Sequence, residues 1–267
     1  MVRAPVVAGQ FYPGNARALR AEVTRLLGPP QEALPALGVI APHAGYVYSG
    51  AIAGKTMAAI LLSEQILCLG PNHHGHGHRA AVFAQGQWQT PLGAIAIAEP
   101  LATELLQAVP GLSEDYQAHL PEHSLEVLLP FLQIRSPQSR IVPLCLSQMP
   151  LEQLLEIGQG IGRVLQRQAA PVLMLCSSDM NHFEADKISR QKDQRAIERI
   201  LALDPEGLYH TVREGRISMC GVVPAVVMLA AARVLGASSA SLVEYDNSGA
   251  VSGDQRSVVG YAGIVVR

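Results

Sequence analysis

The chain has 267 residues, enough for one large α/β domain with a well-buried core or for two small ones. Hydrophobic residues make up 49% and charged residues 16%, and the formal charge of −2 leaves no positive footprint for nucleic acid or an anionic membrane. The opening Met1-Val2-Arg3 stretch lacks a signal-peptide core, and the longest weakly polar run, residues 218–232, is too short for a bilayer, so a soluble, cytoplasmic protein is expected.

Residues 2–13 read as an extended lead-in. Asn15 is a candidate N-cap for a helix with Leu19, Val23, Leu26 and Leu27 on its apolar face, stopped by Gly28-Pro29-Pro30. Residues 37–41 form a short apolar strand that breaks at Pro42-His43-Ala44-Gly45, and a helix over 51–62 leads to a buried strand at 65–69. That βαβ unit makes the two strands parallel and puts His43 and His74 at one edge of the sheet. Residues 81–84 and 94–98 look like shorter strands around a turn-rich 85–93, and 101–109 is amphipathic. Residues 122–134 read as helix, with Pro130 bending it or ending it early. A strand at 140–146, a helix at 151–166 weakened by Gly158, Gly160 and Gly162, and an apolar strand at 172–176 follow. Helices are expected at 185–203, 205–213 and 222–235, and strands at 240–245 and 258–266 close the sheet. The alternation points to one α/β domain over 1–267, a three-layer sandwich around a mostly parallel sheet.

Three strand ends carry polar chemistry: His43, the pair His73-His74, and Asp179 with His182. Loops past the carboxyl ends of buried strands are where open α/β sheets keep their ligand crevices. Neutral imidazoles bind borderline divalent ions, and a thiolate adds soft character and charge. Cys220, in Met219-Cys220-Gly221 ahead of an apolar helix, could supply it, because helix amides favour a thiolate. Core packing beside Gly221 is the competing reading. Cys68, Cys145 and Cys176 lie in apolar runs and read as small hydrophobes. Iron(II), copper or zinc would suit such a donor set, with Asp179 and His182 orienting water or exchanging protons. His76 and His78 read as solvated, Asp115 and His119 have no supporting context, and Glu122 and Glu126 read as charges stabilising a helix start. A P-loop and a Gly-x-Ser-x-Gly elbow are both missing, which argues against phosphate cradling and α/β-hydrolase chemistry.

Seven segments together resemble the Memo family, known in bacteria and archaea as AmmeMemoRadiSam system protein B. They are Arg3-Ala-Pro-Val-Val-Ala-Gly-Gln-Phe-Tyr-Pro13, Ala41-Pro-His-Ala-Gly-Tyr-Val-Tyr-Ser-Gly50, Leu69-Gly-Pro-Asn-His-His74, Glu122-His-Ser-Leu-Glu126, Ser177-Ser-Asp-Met-Asn-His182, Met219-Cys-Gly221 and Val259-Gly-Tyr-Ala262, in family order. The resemblance implies a fold similar to class III extradiol (LigB-like) dioxygenases, which are non-haem iron enzymes. It implies His43, His74 and Cys220 as metal ligands, His182 as the base with Asp179 beside it, and His73 as a neighbour donating to substrate or water. Where the dioxygenases have a ligand carboxylate, Cys220 stands here, so ring cleavage does not transfer by analogy. The family resemblance further implies iron or copper binding, redox or oxygen-activating chemistry on a small molecule or peptide, and a functional link to a radical S-adenosylmethionine enzyme. A eukaryotic member is implicated in binding phosphotyrosine peptides. Two other classes stay open: a non-catalytic peptide- or partner-binding module that keeps the crevice, and a zinc-dependent hydrolase using Asp179 or His182 to activate water.

Overall fold

In the computed structural model, which describes residues 1–267, the long apolar runs are strands buried almost throughout. The strands are β1 (Val2–Arg3), β2 (Gly38–Ala41), β3 (Gln65–Pro71), β4 (Ala80–Val82), β5 (Gln87–Thr90), β6 (Gly93–Ala96), β7 (Ser113–Glu114), β8 (Arg140–Leu146), β9 (Val172–Ser177), β10 (His182–Glu184), β11 (Ala240–Asn247) and β12 (Val258–Val266). The main helices are α1 (Ala16–Leu27), α2 (Tyr46–Ala58), α3 (Glu99–Ala108), α4 (Leu129–Arg135), α5 (Leu151–Gln166), α6 (Asp186–Leu201), α7 (Pro205–Glu214) and α8 (Val222–Val234).

A nine-stranded sheet runs in the order β10-β12-β2-β9-β3-β8-β4-β7, with β11 also paired to β12. β2, β9, β3 and β8 are mutually parallel, whereas β12 is antiparallel to β2 and β4 antiparallel to β8. The sheet is therefore mixed, which corrects the expectation of a mostly parallel one. The segments before β4 and β12 hold no crossover helix, so the chain reverses there. Helices cover both faces: α2 lies over β2, β11 and β12, and α8 lies across β2, β9 and β3 with α5 and α7 behind it. No helix is long and apolar enough to cross a membrane.

Local signals explain most of the boundaries. The Asn15 side chain caps α1 by accepting the Ala18 amide at 2.9 Å, and Leu19, Val23 and Leu26 are the buried stripe. α2 starts at Tyr46, earlier than the apolar spacing implies, because its first buried turn uses Tyr46, Ser49 and Gly50 in place of aliphatic residues. The expected helix over 122–134 is an irregular segment, a 3-10 turn at Glu126–Leu128 and then α4. Pro130 sits in the first turn of α4, where its missing N–H costs nothing, so it starts a helix and does not bend one. The turn-rich stretch before residue 93 contains β5, part of a separate three-stranded sheet β1-β5-β6.

That small sheet anchors the amino terminus. The Arg3 guanidinium lies 4.2 Å over the ring of Trp88 and pairs with Glu126 at 2.5 Å, both charges buried. Glu126 also accepts from the amides of Val6 at 2.9 Å and Val7 at 3.0 Å and from the Tyr12 hydroxyl at 2.6 Å. Its role is thus to tie down residues 3–12, not to stabilise a helix start.

Candidate metal centre

Because β9 lies between β2 and β3, the loops leaving all three carboxyl ends are neighbours. His43 follows β2, His73 follows β3, and Asp179 follows β9. Parallel β2 and β3 do put both histidine loops at one edge, with β9 interposed. A third ring enters from the irregular segment ahead of α4: His123. One ligand atom each from His43, His73 and His123 lies within 4.8 Å of the others. His73 and His123 stack at 5.0 Å between centroids, and His43 meets them edge-on at 5.3 and 5.6 Å.

Hydrogen bonding fixes where two of the rings carry their protons. Ser177 Oγ is 2.8 Å from His43 Nδ1 and donates its single hydrogen to the Ser124 carbonyl at 2.7 Å. It must therefore accept from His43 Nδ1–H, which leaves the lone pair on Nε2. Burial pushes the His43 pKa down to about 4, so the ring is neutral at pH 7, the form that binds metal. His73 Nδ1 is 2.9 Å from Glu122 Oε1, and the His73 amide donates to Glu122 Oε2 at 2.8 Å. Burial works against the Glu122 charge, but the His73 ring and the amides of Ser124 and His73 hold its carboxyl well below the usual range. A carboxylate only accepts, so the neutral form of His73 also carries its proton on Nδ1 and its lone pair on Nε2. For His73 burial acts downward and the Glu122 hydrogen bond upward, with a net rise. Burial lowers the pKa of His123. Glu122 is therefore a ring-orienting carboxylate, a correction to its reading as a helix-start charge.

Cys220, one residue before the N-cap of α8, places Sγ 3.6 Å from His43 Nε2. The Asp179 amide donates to that sulfur at 3.2 Å. Burial, reinforced by the Asp179 carboxylate, raises the thiol pKa well above its ordinary value, which outweighs the expected help from the helix end. Asp179 itself accepts the His43 backbone N–H on Oδ1 at 2.8 Å and so holds the His43 loop. His182 starts β10, half-buried, with Nδ1 2.9 Å from the Ser218 carbonyl. His74 is exposed, outside the three-ring cluster, with its ring 5.9 Å from that of His76.

The structure thus brings together His43, His73, Cys220 and Asp179, adds His123, and leaves His74 in the outer loop with His76. His123 has no role in the sequence reading, because a helix over 122–134 gives no reason for its ring to reach the strand ends. The one signal is that the family-like segment Glu122-His123-Ser124-Leu125-Glu126 contains it, without assigning it a role.

A family model described as Memo-like protein matches residues 3–265. The chain belongs to the Memo family. Curated relatives agree along the whole length: a MEMO1 family protein of Methanopyrus kandleri is 40% identical over 283 residues, covering 100% of this chain and 99% of the relative. One from Methanosarcina barkeri is 40% identical over 267 residues, covering 99% and 100%, and one from Aquifex aeolicus is 39% identical over 266 residues, covering 99% and 98%. Among solved structures, an uncharacterized protein of Escherichia coli K12 is similar with a TM-score of 0.55 at 13% identity, covering 84% of this chain and 98% of that one, a likeness of fold alone.

This Memo-family chain has the chemistry to hold a metal ion. Two imidazoles have their Nδ1 protons engaged by Ser177 and Glu122, and oxygen partners of this kind orient a ring and raise the basicity of its Nε2. The added sulfur and absence of carboxylates among the clustered donors fit a borderline or soft ion better than magnesium or calcium.

Proposed function

We propose that this Memo-family protein binds one iron(II) or copper ion in the strand-end crevice and uses it for redox or oxygen-activating chemistry on a small molecule or peptide. The observation that carries the reading is the convergence of His43, His73 and His123, with Cys220 Sγ 3.6 Å from His43 Nε2. When bound, the ion supplies a redox-active Lewis acid. The geometry favours His43, His73, His123 and Cys220 as donors, whereas the family resemblance names His74 beside His43 and Cys220. A LigB-like fold is in keeping with the helices on both faces and the site at strand carboxyl ends. Asp179 keeps the His43 loop in place, and His182 takes up or returns a proton at Nε2.

A cavity of about 640 Å³ lies at Phe11, lined by none of His43, His73, His123 and Cys220. Phe11, whose ring meets His123 edge-on at 5.0 Å, lines it together with Tyr46, Tyr48 and Arg25. The same cavity favours, as second reading, a binding module that holds a peptide or partner without turnover. A link to a radical S-adenosylmethionine enzyme and a cytoplasmic location complete the proposal.

Anaerobic reconstitution with iron(II) and copper(I), followed by metal analysis, tests it. Wild type is expected to retain one equivalent, and His43→Ala to lose it. His73→Ala set against His74→Ala decides which of the adjacent pair is a donor. Cys220→Ala tests the sulfur through the proton released on loading, since a thiol must lose its proton to bind. Full stoichiometry in His43→Ala would sink the site. Oxygen-independent turnover supported by zinc would replace the redox reading with hydrolysis.

A further inference from the structure

We propose that Asn181, held from behind by Asp193, is a positioning residue that fixes the His182 ring with its proton on Nδ1 and its lone pair on Nε2. This deepens the reading of His182 as the proton-transferring group and rests on it.

His182 is clasped at two points by one residue. Its amide donates to Ser218 Oγ at 2.7 Å, and its ring Nδ1 lies 2.9 Å from the Ser218 carbonyl. A carbonyl oxygen only accepts, so the proton resides on Nδ1. Nε2 is then the basic nitrogen. Ser218 is in turn gripped by the Asn181 side chain: Oδ1 accepts from the Ser218 amide at 3.0 Å and from its hydroxyl at 3.2 Å. Ser218 also stands two residues before Cys220, so the clasp sets His182 against the segment that carries the sulfur.

Asn181 has no freedom left. It is fully buried, its Nδ2 donates to Glu184 Oε2 at 2.6 Å, its carbonyl accepts from Gly260 at 2.9 Å, and its amide donates to Asp193 Oδ1 at 2.8 Å. Asp193, on α6 and also fully buried, accepts the Tyr245 hydroxyl at 2.7 Å on its other oxygen. A Cβ on Gly260 would lie 2.0 Å from that oxygen, so the carboxylate cannot shift toward β12. The chain of contacts therefore runs from β11 through α6 to the ring of His182.

The backbone bears the mark of this placement. The pairing of β10 with β12 is irregular between His182 and Glu184, and Phe183 between them adopts φ +61° with its side chain 76% exposed. Bulges at sheet edges re-aim side chains, and a non-glycine residue in the left-handed region persists only where its surroundings impose it. Here the surroundings are the Ser218 clasp and the Asn181 grip.

Long-range proton–nitrogen spectra of the full-length chain, ¹⁵N-labelled at histidine and stripped of metal, report the tautomer of each ring. His182 signals are assigned by their loss in His182→Gln. The expected result is a dominant Nδ1–H form in wild type, reverting to the Nε2–H form preferred by free histidine in Asn181→Ala. Asn181→Asp combined with Glu184→Gln keeps an oxygen for Ser218, faces it with an amide donor in place of the Glu184 carboxylate, and is expected to restore Nδ1–H. Asp193→Asn, which cannot accept from both Asn181 and Tyr245, is expected to move the population in the same direction as Asn181→Ala and serves if that variant does not fold. Gly158→Ala, destabilised elsewhere, controls for a merely structural effect and should leave His182 unmoved. An Nε2–H wild type, or an unchanged tautomer in both Asn181→Ala and Asp193→Asn, overturns the proposal. The readout needs neither metal nor substrate, so failure of the metal site shows in stoichiometry and failure of the positioning role shows here.

Discussion

Whether a buried histidine carries charge is set by its neighbours, and His119 shows the effect away from the three-histidine cluster. It is fully buried, with Nε2 bonded to the Ala81 carbonyl at 3.0 Å and its ring edge-on to Phe83 and Trp88. Burial pushes its pKa down to about 4, the Ala81 carbonyl pulling upward and Arg3 adding to the fall. The folded state thus resists a proton that the unfolded chain takes up near pH 6.5. Stability from this group is complete above that value and drains away as pH falls toward 4, by roughly 3 kcal/mol. Asp193 works in the opposite sense, since burial raises its pKa to about 6. Its contribution is complete below the ordinary carboxylate value and is lost as pH rises through 6. Urea midpoints between pH 7 and 4 should therefore fall less steeply in His119→Gln than in wild type, and more steeply in Asp193→Asn. Identical slopes in all three proteins would show that these two groups do not govern the acid limb. Little of this was legible beforehand. His43 and Cys220 stood out because they adjoin apolar runs, whereas His119 had no context until the fold put Phe83 and Trp88 around it.

At the scale of elements, sequence periodicity located α5 and α8 but mistook what the glycines of α5 do. In an exposed helix a glycine weakens the structure by about 1 kcal/mol relative to alanine, which is how Gly158, Gly160 and Gly162 first read. In the fold they let two helices touch. A Cβ at Gly158 would lie 2.5 Å from the Val227 carbonyl oxygen and 2.6 Å from Ala230 Cβ, and one at Gly162 2.7 Å from Val234 Cβ. Backbone cannot yield as a flexible side chain can. Gly158→Ala is expected to lower stability by about 1–3 kcal/mol despite the gain in helix propensity, through overpacking against α8. Thermal unfolding checks this: a raised melting temperature would mean that α5 can slide off α8 at no cost. The same limit explains the other misread elements. Local sequence marks a helix by its stripe and a strand by its run, but the side chains that decide partners lie far away. β10 is short and half-exposed, β5 hides in turn-forming residues, and the direction of β4 depends on pairing with β8. The central strands were legible because burial on both faces leaves an unbroken apolar run.

For the molecule as a whole, two glutamates on either side of His123 join distant parts of the chain to the crevice. Glu122 holds His73 from the β3 loop, and Glu126 holds Arg3, Val6, Val7 and Tyr12 from the amino-terminal segment. Phe11, within that segment, packs its ring on His123. The amino terminus thus forms one wall of the candidate site, a relation invisible in a reading that saw only an extended lead-in. Glu126→Gln leaves the buried Arg3 guanidinium without its counter-charge, which typically costs about 3–5 kcal/mol. Replacing both partners, as Arg3→Met with Glu126→Leu, removes the orphaned charge as well but still deprives two backbone amides and Tyr12 of their acceptor. The double variant should therefore fall between wild type and Glu126→Gln in stability. If the wall matters to the site, both variants should also bind iron(II) or copper(I) more weakly than their loss of stability explains, measured by titration at a temperature where each is folded. Gly158→Ala, destabilised at a helix contact outside this wall, is the reference, each affinity being set against that variant's own loss of stability. Equal metal affinity in Glu126→Gln and Gly158→Ala would reduce the Arg3–Glu126 node to a structural clamp, because a loosened Phe11 would then have left His123 where it was.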